Sequence, residues 1–164
     1  MKLVSLAAIA AALLLFSSTA TRAQTTPPPA QPGTFEYKVE DAISKSGFEF
    51  RKVKSNSWFL LTPGKEMPRM RVILGAGPGA VAIGAVVLAK RDFKLTTEAL
   101  QQLLKLSYDL NYVRICIDTD DDLIVMAQLK GPWLNDVEFK NTVNMVIAAA
   151  DRAYAVMRPY TNTQ

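Results

Sequence analysis

Apolar positions recur along the chain with two different periods, which predict three helices and six strand segments. A period close to four residues is typical of an amphipathic helix and covers 36–46, 96–110 and 135–158. A period of two, or a short apolar run, is typical of a strand. The predicted strands are 48–53, 58–62, 70–74, 81–88, 113–117 and 123–129.

Capping residues mark the ends of the first two helices. Gly47 closes the first helix, since glycine tolerates the left-handed backbone that ends many helices. Thr96 or Thr97 caps the start of the second helix. The spacing of this helix predicts one shared face for Leu100, Leu103, Leu104, Ser107 and Leu110.

The last helix has the most complete set of boundary signals. Asn135 is the predicted N-cap, with Glu138 three residues later as in a capping box. Leu134 and Phe139 are placed to form a hydrophobic staple, and Pro159 stops the helix. We therefore expect this helix to be firmly anchored on the core.

Short loops between successive strands predict an antiparallel sheet. The loops are the turn 54–57, the glycine and proline cluster 75–79, and the acidic tip Asp118–Asp122. Three amphipathic helices must bury their apolar faces, and one face of the sheet can receive them. The sequence therefore predicts an α+β fold of two layers.

The first 23 residues are typical of a secretory signal peptide. Lys2 gives a positive start, 3–16 is an apolar run, and small residues allow cleavage after Ala20 or Ala23. This run would span only ~21 Å of a ~30 Å hydrocarbon core, which disfavours a membrane anchor. We therefore predict a periplasmic or secreted protein with no membrane anchor after cleavage.

Proline content separates a spacer from the folded domain. Residues 24–33 hold four of the nine prolines and predict an extended spacer. The domain is expected over 34–160, with 161–164 as a tail. Cys116 is the only cysteine, and its alternating surroundings predict a small apolar strand residue.

The absence of histidine excludes several kinds of chemistry. A Ser-His-Asp triad, a Cys-His pair and histidine-ligated zinc are all ruled out. No acidic pair or serine has the setting of a catalytic group, so we expect neither an enzyme nor a cofactor. With Lys2 and Arg22 removed, 17 basic residues face 15 acidic ones, too weak a balance to predict nucleic-acid binding.

A glycine motif offers a less favoured alternative. Gly75-x-Gly77-x-x-Ala80 follows an apolar run, and Glu98 comes later, as in a dinucleotide (FAD or NAD) site of an oxidoreductase. That site requires a helix after the glycines, whereas the valine-rich segment 81–88 favours a strand. We therefore interpret the motif as a hairpin loop.

An acidic motif offers a second alternative, an envelope sensor of calcium or a small ligand. Asp118, Asp120 and Asp122 match the opening of a calcium loop. Leu123 and Leu129 stand where that loop needs glycine and glutamate. A solvated hairpin tip is therefore the favoured interpretation.

Basic residues are concentrated in the first half of the domain. Residues 36–94 carry 11 basic and 6 acidic residues, against 6 and 9 in 95–164. We interpret those beside the early strands as a solvated face with edge protection rather than an anion site. They are Lys52, Lys54, Lys65, Arg69 and Arg71.

A leucine-rich helix ending in Asn111, a hairpin with an acidic tip, and a last helix with Tyr154 near its end succeed one another over 98–158. This combination resembles the bacterial YbjN-like family, described as sensory transduction regulators and similar in fold to type III secretion chaperones. The resemblance implies an α-β-β-β-α-β-β-α order, dimerisation, and binding of a protein or peptide, with no catalytic residues. The sequence pattern gives one extra strand before the second helix.

The hairpin face that points away from the core offers a surface for a partner. Half of its side chains are apolar or soft, and Trp133 is a second candidate, although anchoring of the last helix is its favoured role. We therefore predict an exported, non-enzymatic, protein- or peptide-binding or chaperone-like module of the bacterial envelope. The predicted partner-binding residues are Tyr112, Arg114, Ile124, Met126 and Trp133.

Overall fold

The computed structural model describes residues 29–162, so the predicted signal peptide and the first half of the spacer, 24–28, lie outside the described residues. Four strands, one more than the family order implies, precede the second helix. The elements are α1 (Phe35–Ser46), β1 (Arg51–Lys54), β2 (Ser57–Thr62), β3 (Met70–Gly77), β4 (Ala80–Leu88), α2 (Thr97–Tyr108), β5 (Arg114–Ile117), β6 (Leu123–Lys130) and α3 (Asp136–Met157).

The six strands form one antiparallel sheet in the order β1-β2-β3-β4-β6-β5. The first four strands follow one another as a meander, because two-residue to seven-residue loops leave no room for a crossover. After α2 the chain returns so that β6 pairs with β4 and β5 takes the outer edge. The predicted antiparallel sheet is therefore confirmed.

The three helices lie on one face of this sheet and form the second layer. α3 packs on β4 and β6, while α1 and α2 flank α3 and contact β3 and β5. Strand residues alternate between buried and accessible. In β3, Met70, Val72 and Leu74 are buried and the residues between them are exposed. Phe139 and Met157 of α3 are fully buried against such residues. The predicted two-layer α+β architecture is confirmed.

The caps predicted from the sequence form as expected. The side chains of Thr96 and Asn135 each accept a hydrogen bond from the backbone N–H three residues later, at 3.1 and 2.9 Å. Thr34 caps α1 in the same way, at 3.2 Å. Gly47 closes α1 with φ of 80°, in the left-handed region. Local signals therefore set the limits of all three helices.

The buried face of α2 differs from the predicted one. Ala99, Leu103 and Leu106 are buried, whereas Leu100 and Leu104 are 44% and 62% exposed. Leucines occupy two sides of this helix, so spacing alone does not decide which side meets α3. The side that holds Ala99 is the one that packs against α3, so the helix is rotated from the predicted orientation.

The carboxyl end of the chain is bound further along than predicted. The backbone N–H of Asn162 donates to Asp92 O at 2.8 Å, and its side-chain amide donates to Arg91 O at 2.7 Å. Thr161 forms a bridge with Phe93. The folded unit therefore includes two residues assigned to the tail. Within 29–162, no helix has the length and apolarity needed to cross a membrane.

Asp151 of α3 holds the loop between β2 and β3. Its Oδ1 accepts hydrogen bonds from the backbone N–H groups of Glu66 and Met67, at 2.8 and 2.9 Å. A Cβ placed on Gly64 would lie 2.2 Å from the same oxygen, so only glycine leaves this arrangement undisturbed. One carboxylate thus connects the helical layer to a loop of the sheet.

Candidate partner-binding face

One face of the sheet has no helix over it among residues 29–162, and we call it the open face. It consists of the strand residues that alternate with the buried ones. In β3 these are Arg71, Ile73 and Gly75, which lie between buried neighbours. The same alternation in β4 and β6 places accessible residues between fully buried ones. The open face is therefore built by the backbone of all six strands.

The strand register aligns one set of open-face residues straight across the whole sheet. Side chains directly opposite one another in an antiparallel pair are ~5 Å apart, so this set forms a continuous row. We call it the central row: Arg51, Phe59, Ile73, Gly84, Met126 and Arg114. An arginine stands at each end, and the middle is apolar.

A second row runs beside the central row and is also largely apolar. Its members, from β2 to β5, are Leu61, Arg71, Val86, Ile124 and Cys116. Leu61 is 63% exposed and Ile73 of the central row is 40% exposed. The two rows together form a contiguous apolar surface, which is uncommon on a solvated sheet face.

The charges on the open face have a single sign. The sequences of the six strands contain basic residues but no acidic one. Five of these cations point to the open face, and none of the five takes part in an ion pair within residues 29–162. They are Arg51, Lys54, Arg71, Arg114 and Lys130.

Lys52 points towards the helices, although we predicted from the sequence that it belongs to the solvated cations. Its Nζ lies 2.7 Å from Glu36 Oε1 and 2.8 Å from Glu40 Oε1 of α1, and 5.9 Å from the ring centre of Trp58. The hydrogen bond to Lys52 holds the pKa of Glu36 below its ordinary value of 4.5. The pKa of Lys52 lies above 10.5, because its hydrogen bonds to both glutamates outweigh the burial that opposes its charge.

Three of the predicted partner-binding residues come together on the open face. Arg114 lies opposite Met126 in the register, and Ile124 lies opposite Cys116. Tyr112 does not join them, because it precedes β5 with a left-handed φ of 63°, which breaks the strand alternation. Its side chain is 87% exposed in the loop.

The sequence favoured Trp133 as an anchor of α3, but the structure shows that it does not have this role. Its side chain is 63% exposed, and its ring centre lies 5.8 Å from Nζ of Lys130 at the end of β6. The anchor is Phe139, which is fully buried, with Leu134 partly buried against the core. The indole therefore lies near the end of the open face, beside one of its cations.

The residues that sequence reasoning missed lie on the first four strands. Phe59, Leu61, Ile73, Gly84 and Val86 complete the two rows, although only the hairpin face was predicted. The alternation in 70–74 could have indicated which β3 residues face outward. The order of strands in the sheet was also needed, because only the pairing of β4 with β6 joins the two parts into one surface.

The glycine motif forms the hairpin between β3 and β4, as favoured from the sequence. β3 ends at Gly77, β4 begins at Ala80, and Gly79 turns the chain with φ of 75°. A strand follows instead of a helix, so the helix N-terminus that would hold a pyrophosphate is missing here. The dinucleotide alternative is therefore wrong for this segment.

The carboxylates of the acidic tip are directed at hydrogen-bond donors. Asp118 Oδ1 accepts from the backbone N–H groups of Asp120 and Asp122, at 3.0 and 2.9 Å. Asp122 Oδ1 accepts from the backbone N–H of Lys90 at 2.8 Å, and Asp121 pairs with the Lys90 ammonium. Across residues 29–162 no three acidic or cysteine side chains are grouped as metal ligands. These contacts support the solvated hairpin tip over a calcium loop.

Comparison with known proteins shows a fold similarity. No family model matches the chain, and no curated protein matches it. The fold is similar to one chain of the heterodimeric ExoU–SpcU complex from the type III secretion system of Pseudomonas aeruginosa, with 14% identity, a TM-score of 0.54, and coverage of 74% of this chain and 98% of that one.

A second solved structure gives a similar result. A chain of the ExsC–ExsE complex matches with 14% identity and a TM-score of 0.54, covering 74% of this chain and 95% of that one. The α+β fold of the type III secretion chaperone kind, which the sequence predicted, is therefore confirmed. Membership of the YbjN-like family stays a prediction.

Proposed function

We propose that this chain is an exported, non-enzymatic module of the bacterial envelope that binds a segment of another protein on its open face. The observation that carries the proposal is the uncovered apolar surface that runs from β2 across β3, β4 and β6 to Cys116 of β5. β4 illustrates it, since Ala82 and Val86 point outward in a strand whose other face is fully buried. A sheet face that only met water would carry polar residues at such positions.

The physical reason for binding is the removal of apolar surface from water. Leu61, Ile73 and Met126 stand on three different strands, so a single segment lying across the sheet would cover all of them. Burial contributes about 25 cal/mol for each Å² of apolar surface removed from water. A partner therefore gains most where the two rows are contiguous.

The similar solved structures support a role in protein binding. Both are complexes of two different proteins. The chain also lacks histidine, and the ion pairs of Lys52 with Glu36 and Glu40 join β1 to α1. Export rests on the predicted signal peptide at 1–23.

Homodimerisation, which the family resemblance implies, would use a different surface. Leu100, Leu104 and Tyr108 follow one another at intervals of four residues on the exposed side of α2, and Tyr108 is 92% exposed. A second copy would bury this ridge without covering the open face. Sedimentation velocity of the wild type and of Leu104→Glu tests this: we expect a dimer that the charge disrupts, and a monomeric wild type would contradict it.

Site-specific photocross-linking in cells tests the proposed function. A photoreactive amino acid replaces Ile73 or Met126 on the open face, and Lys140 on the exposed side of α3 in a matched control. We expect the open-face positions to cross-link to another protein, identified by mass spectrometry, and the control to give none of that product. Failure of both open-face positions to cross-link to any protein would refute the proposal.

A further inference from the structure

We infer that the open face binds an acidic and apolar segment of its partner, with carboxylates that reach the arginines at the two ends of the central row. This inference rests on the proposed function and gives the partner its chemistry. The strand residues of the open face include five cations and no anion. A partner with carboxylates would supply the missing counter-charge.

The five cations on the open face form no ion pair within the described residues. Arg152 and Arg158, on the helical side, pair with Asp109 and Glu66. Lys52, the strand cation that faces the helices, pairs with two glutamates of α1. The acidic residues of the domain thus lie on helices and loops, while Arg51, Arg71 and Arg114 on the open face remain available to a carboxylate of another molecule.

The arrangement of these arginines sets the dimensions of the bound segment. Arg51 lies on β1 and Arg114 on β5, the two edge strands, so five strand spacings of about 4.8 Å separate them by ~24 Å. An extended segment of about seven residues spans that distance, as does a helix of ~16 residues. Arginine suits carboxylates, because its planar guanidinium can donate two parallel hydrogen bonds.

The middle of the central row would receive apolar side chains of that segment. Ile73 and Met126 flank Gly84, and Phe59 follows Ile73 on the next strand. Gly84 has no side chain and so leaves a depression between its two neighbours. Ala82 beside it in β4 is also small. The segment that fits has apolar residues in its centre and acidic residues towards its ends.

The open face of a second copy does not provide that chemistry. Two open faces packed together would place like charges opposite one another, and such pairs are destabilising. The residues outside the described range at the amino end do not provide it either. Residues 1–28 contain Lys2 and Arg22 but no aspartate or glutamate. Neither another open face nor residues 1–28 supplies the complementary charge, so we assign it to a segment of a different protein.

A protein segment fits this face better than a nucleic acid or a membrane. Phe59 is the only aromatic residue among the open-face strand positions, whereas surfaces that bind single strands stack bases on several aromatic rings. Most apolar side chains of the two rows are half-buried, with Leu61 as the main exception. Such a surface suits a complementary protein surface more than insertion into lipid.

Fluorescence anisotropy with synthetic peptides tests the inference on the full chain. The probe is a labelled peptide of about nine residues with glutamates near both ends and valine or leucine between them. The matched peptide has glutamine in place of glutamate. We expect the acidic peptide to bind at least tenfold more tightly at low salt, and this preference to shrink as salt screens the charges.

Two substitutions remove the same charge from opposite layers. Arg114→Gln is expected to weaken binding of the acidic peptide about fivefold. Lys105→Gln, on the exposed side of α2, is expected to leave binding unchanged. The inference would be overturned by equal effects of both variants, or by an acidic peptide that binds no better than its glutamine counterpart up to about 1 mM.

Vesicles of anionic phospholipid and a labelled single-stranded oligonucleotide complete the test. Binding of either probe that depends on Arg114, without a preference for the acidic peptide, would overturn the inference in favour of a lipid or nucleic-acid ligand. The photocross-linking experiment separates this failure from that of the proposed function. A partner captured from Met126 through a segment without acidic residues would leave protein binding standing and refute the acidic chemistry.

Discussion

Replacing Gly84 with valine should stabilise the domain and, at the same time, weaken partner binding. Gly84 lies in the centre of β4, and its φ is outside the left-handed region, so a side chain causes no backbone strain. A Cβ there would lie 3.5 Å from Val125 O and 3.7 Å from the Cβ of Met126, which are ordinary contacts. The native structure therefore has room for a Cβ at this position, and the γ-methyl groups of valine would extend from it over the open face.

The expected gain in stability follows from glycine's flexibility and valine's fit to a strand. Glycine in a strand interior costs roughly 0.5–1 kcal/mol, and valine adds contacts with side chains of the neighbouring strands. We expect the free energy of unfolding to rise by about 1 kcal/mol, which corresponds to a Tm about 3 °C higher for a domain of this size. Thermal unfolding followed by circular dichroism measures this change.

The expected loss of binding follows from the position of Gly84 between Ile73 and Met126 in the central row. A branched side chain there fills the depression that would receive the partner. Overpacking of this kind costs about 1–3 kcal/mol, or roughly fivefold to a hundredfold in the dissociation constant. Anisotropy with the acidic peptide, at a temperature where both proteins are folded, measures this loss.

Two alanine substitutions serve as controls for the valine. Gly84→Ala adds one methyl group and should give a smaller change of the same sign in both assays. Gly47→Ala makes the same chemical change where φ is 80°, and it should lower stability by about 1 kcal/mol without affecting binding. A stable Gly84→Val variant that binds the peptide with wild-type affinity would refute the assignment of the central row as the binding surface.

Substitutions at three other positions test the packing of the two layers by urea unfolding. Lys52→Met should lower the free energy of unfolding by about 1–3 kcal/mol, because Glu36 and its neighbouring glutamate lose their cation. Glu36→Gln should make stability less sensitive to acid below pH 4.5, since the lowered pKa of this carboxyl gives stability that is lost as it is protonated. Asp151→Ala should cost about 1–3 kcal/mol, and Asp151→Asn less, because one acceptor remains. A wild-type free energy of unfolding for Lys52→Met or Asp151→Ala, or a wild-type loss of stability in acid for Glu36→Gln, would contradict the corresponding prediction.

The fold was predictable because its local signals agree with one another. The N-caps at Thr96 and Asn135, the closing Gly47, and the strand alternation of 70–74 are each read within a few residues of sequence. The orientation of α2 was not predictable in the same way. Leucines on two sides of that helix satisfy the same periodicity, and only contact with α3 selects the side that holds Leu103 and Leu106.

The candidate site was only partly predictable, because it depends on contacts between distant parts of the chain. The hairpin alternation placed Arg114, Ile124 and Met126 on one surface, and the structure shows them together. The prediction for Tyr112 was wrong because its backbone is left-handed, and without a glycine at this position the sequence gives no sign of that conformation. The central row is continuous only because β4 pairs with β6, although α2 and β5 separate these two strands in the sequence.

The distribution of charge between the two layers explains why a nearly neutral domain can still select an acidic partner. α1 and α3 each carry three acidic and two basic residues, whereas the strands carry basic residues alone. At ordinary ionic strength, charges separated by more than about 8 Å are largely screened from one another. Because stacked layers lie about 10 Å apart, a ligand at the open face is governed by the nearby cations and only weakly by the helical anions. The small net charge of the chain therefore understates the positive potential that a partner meets at the sheet.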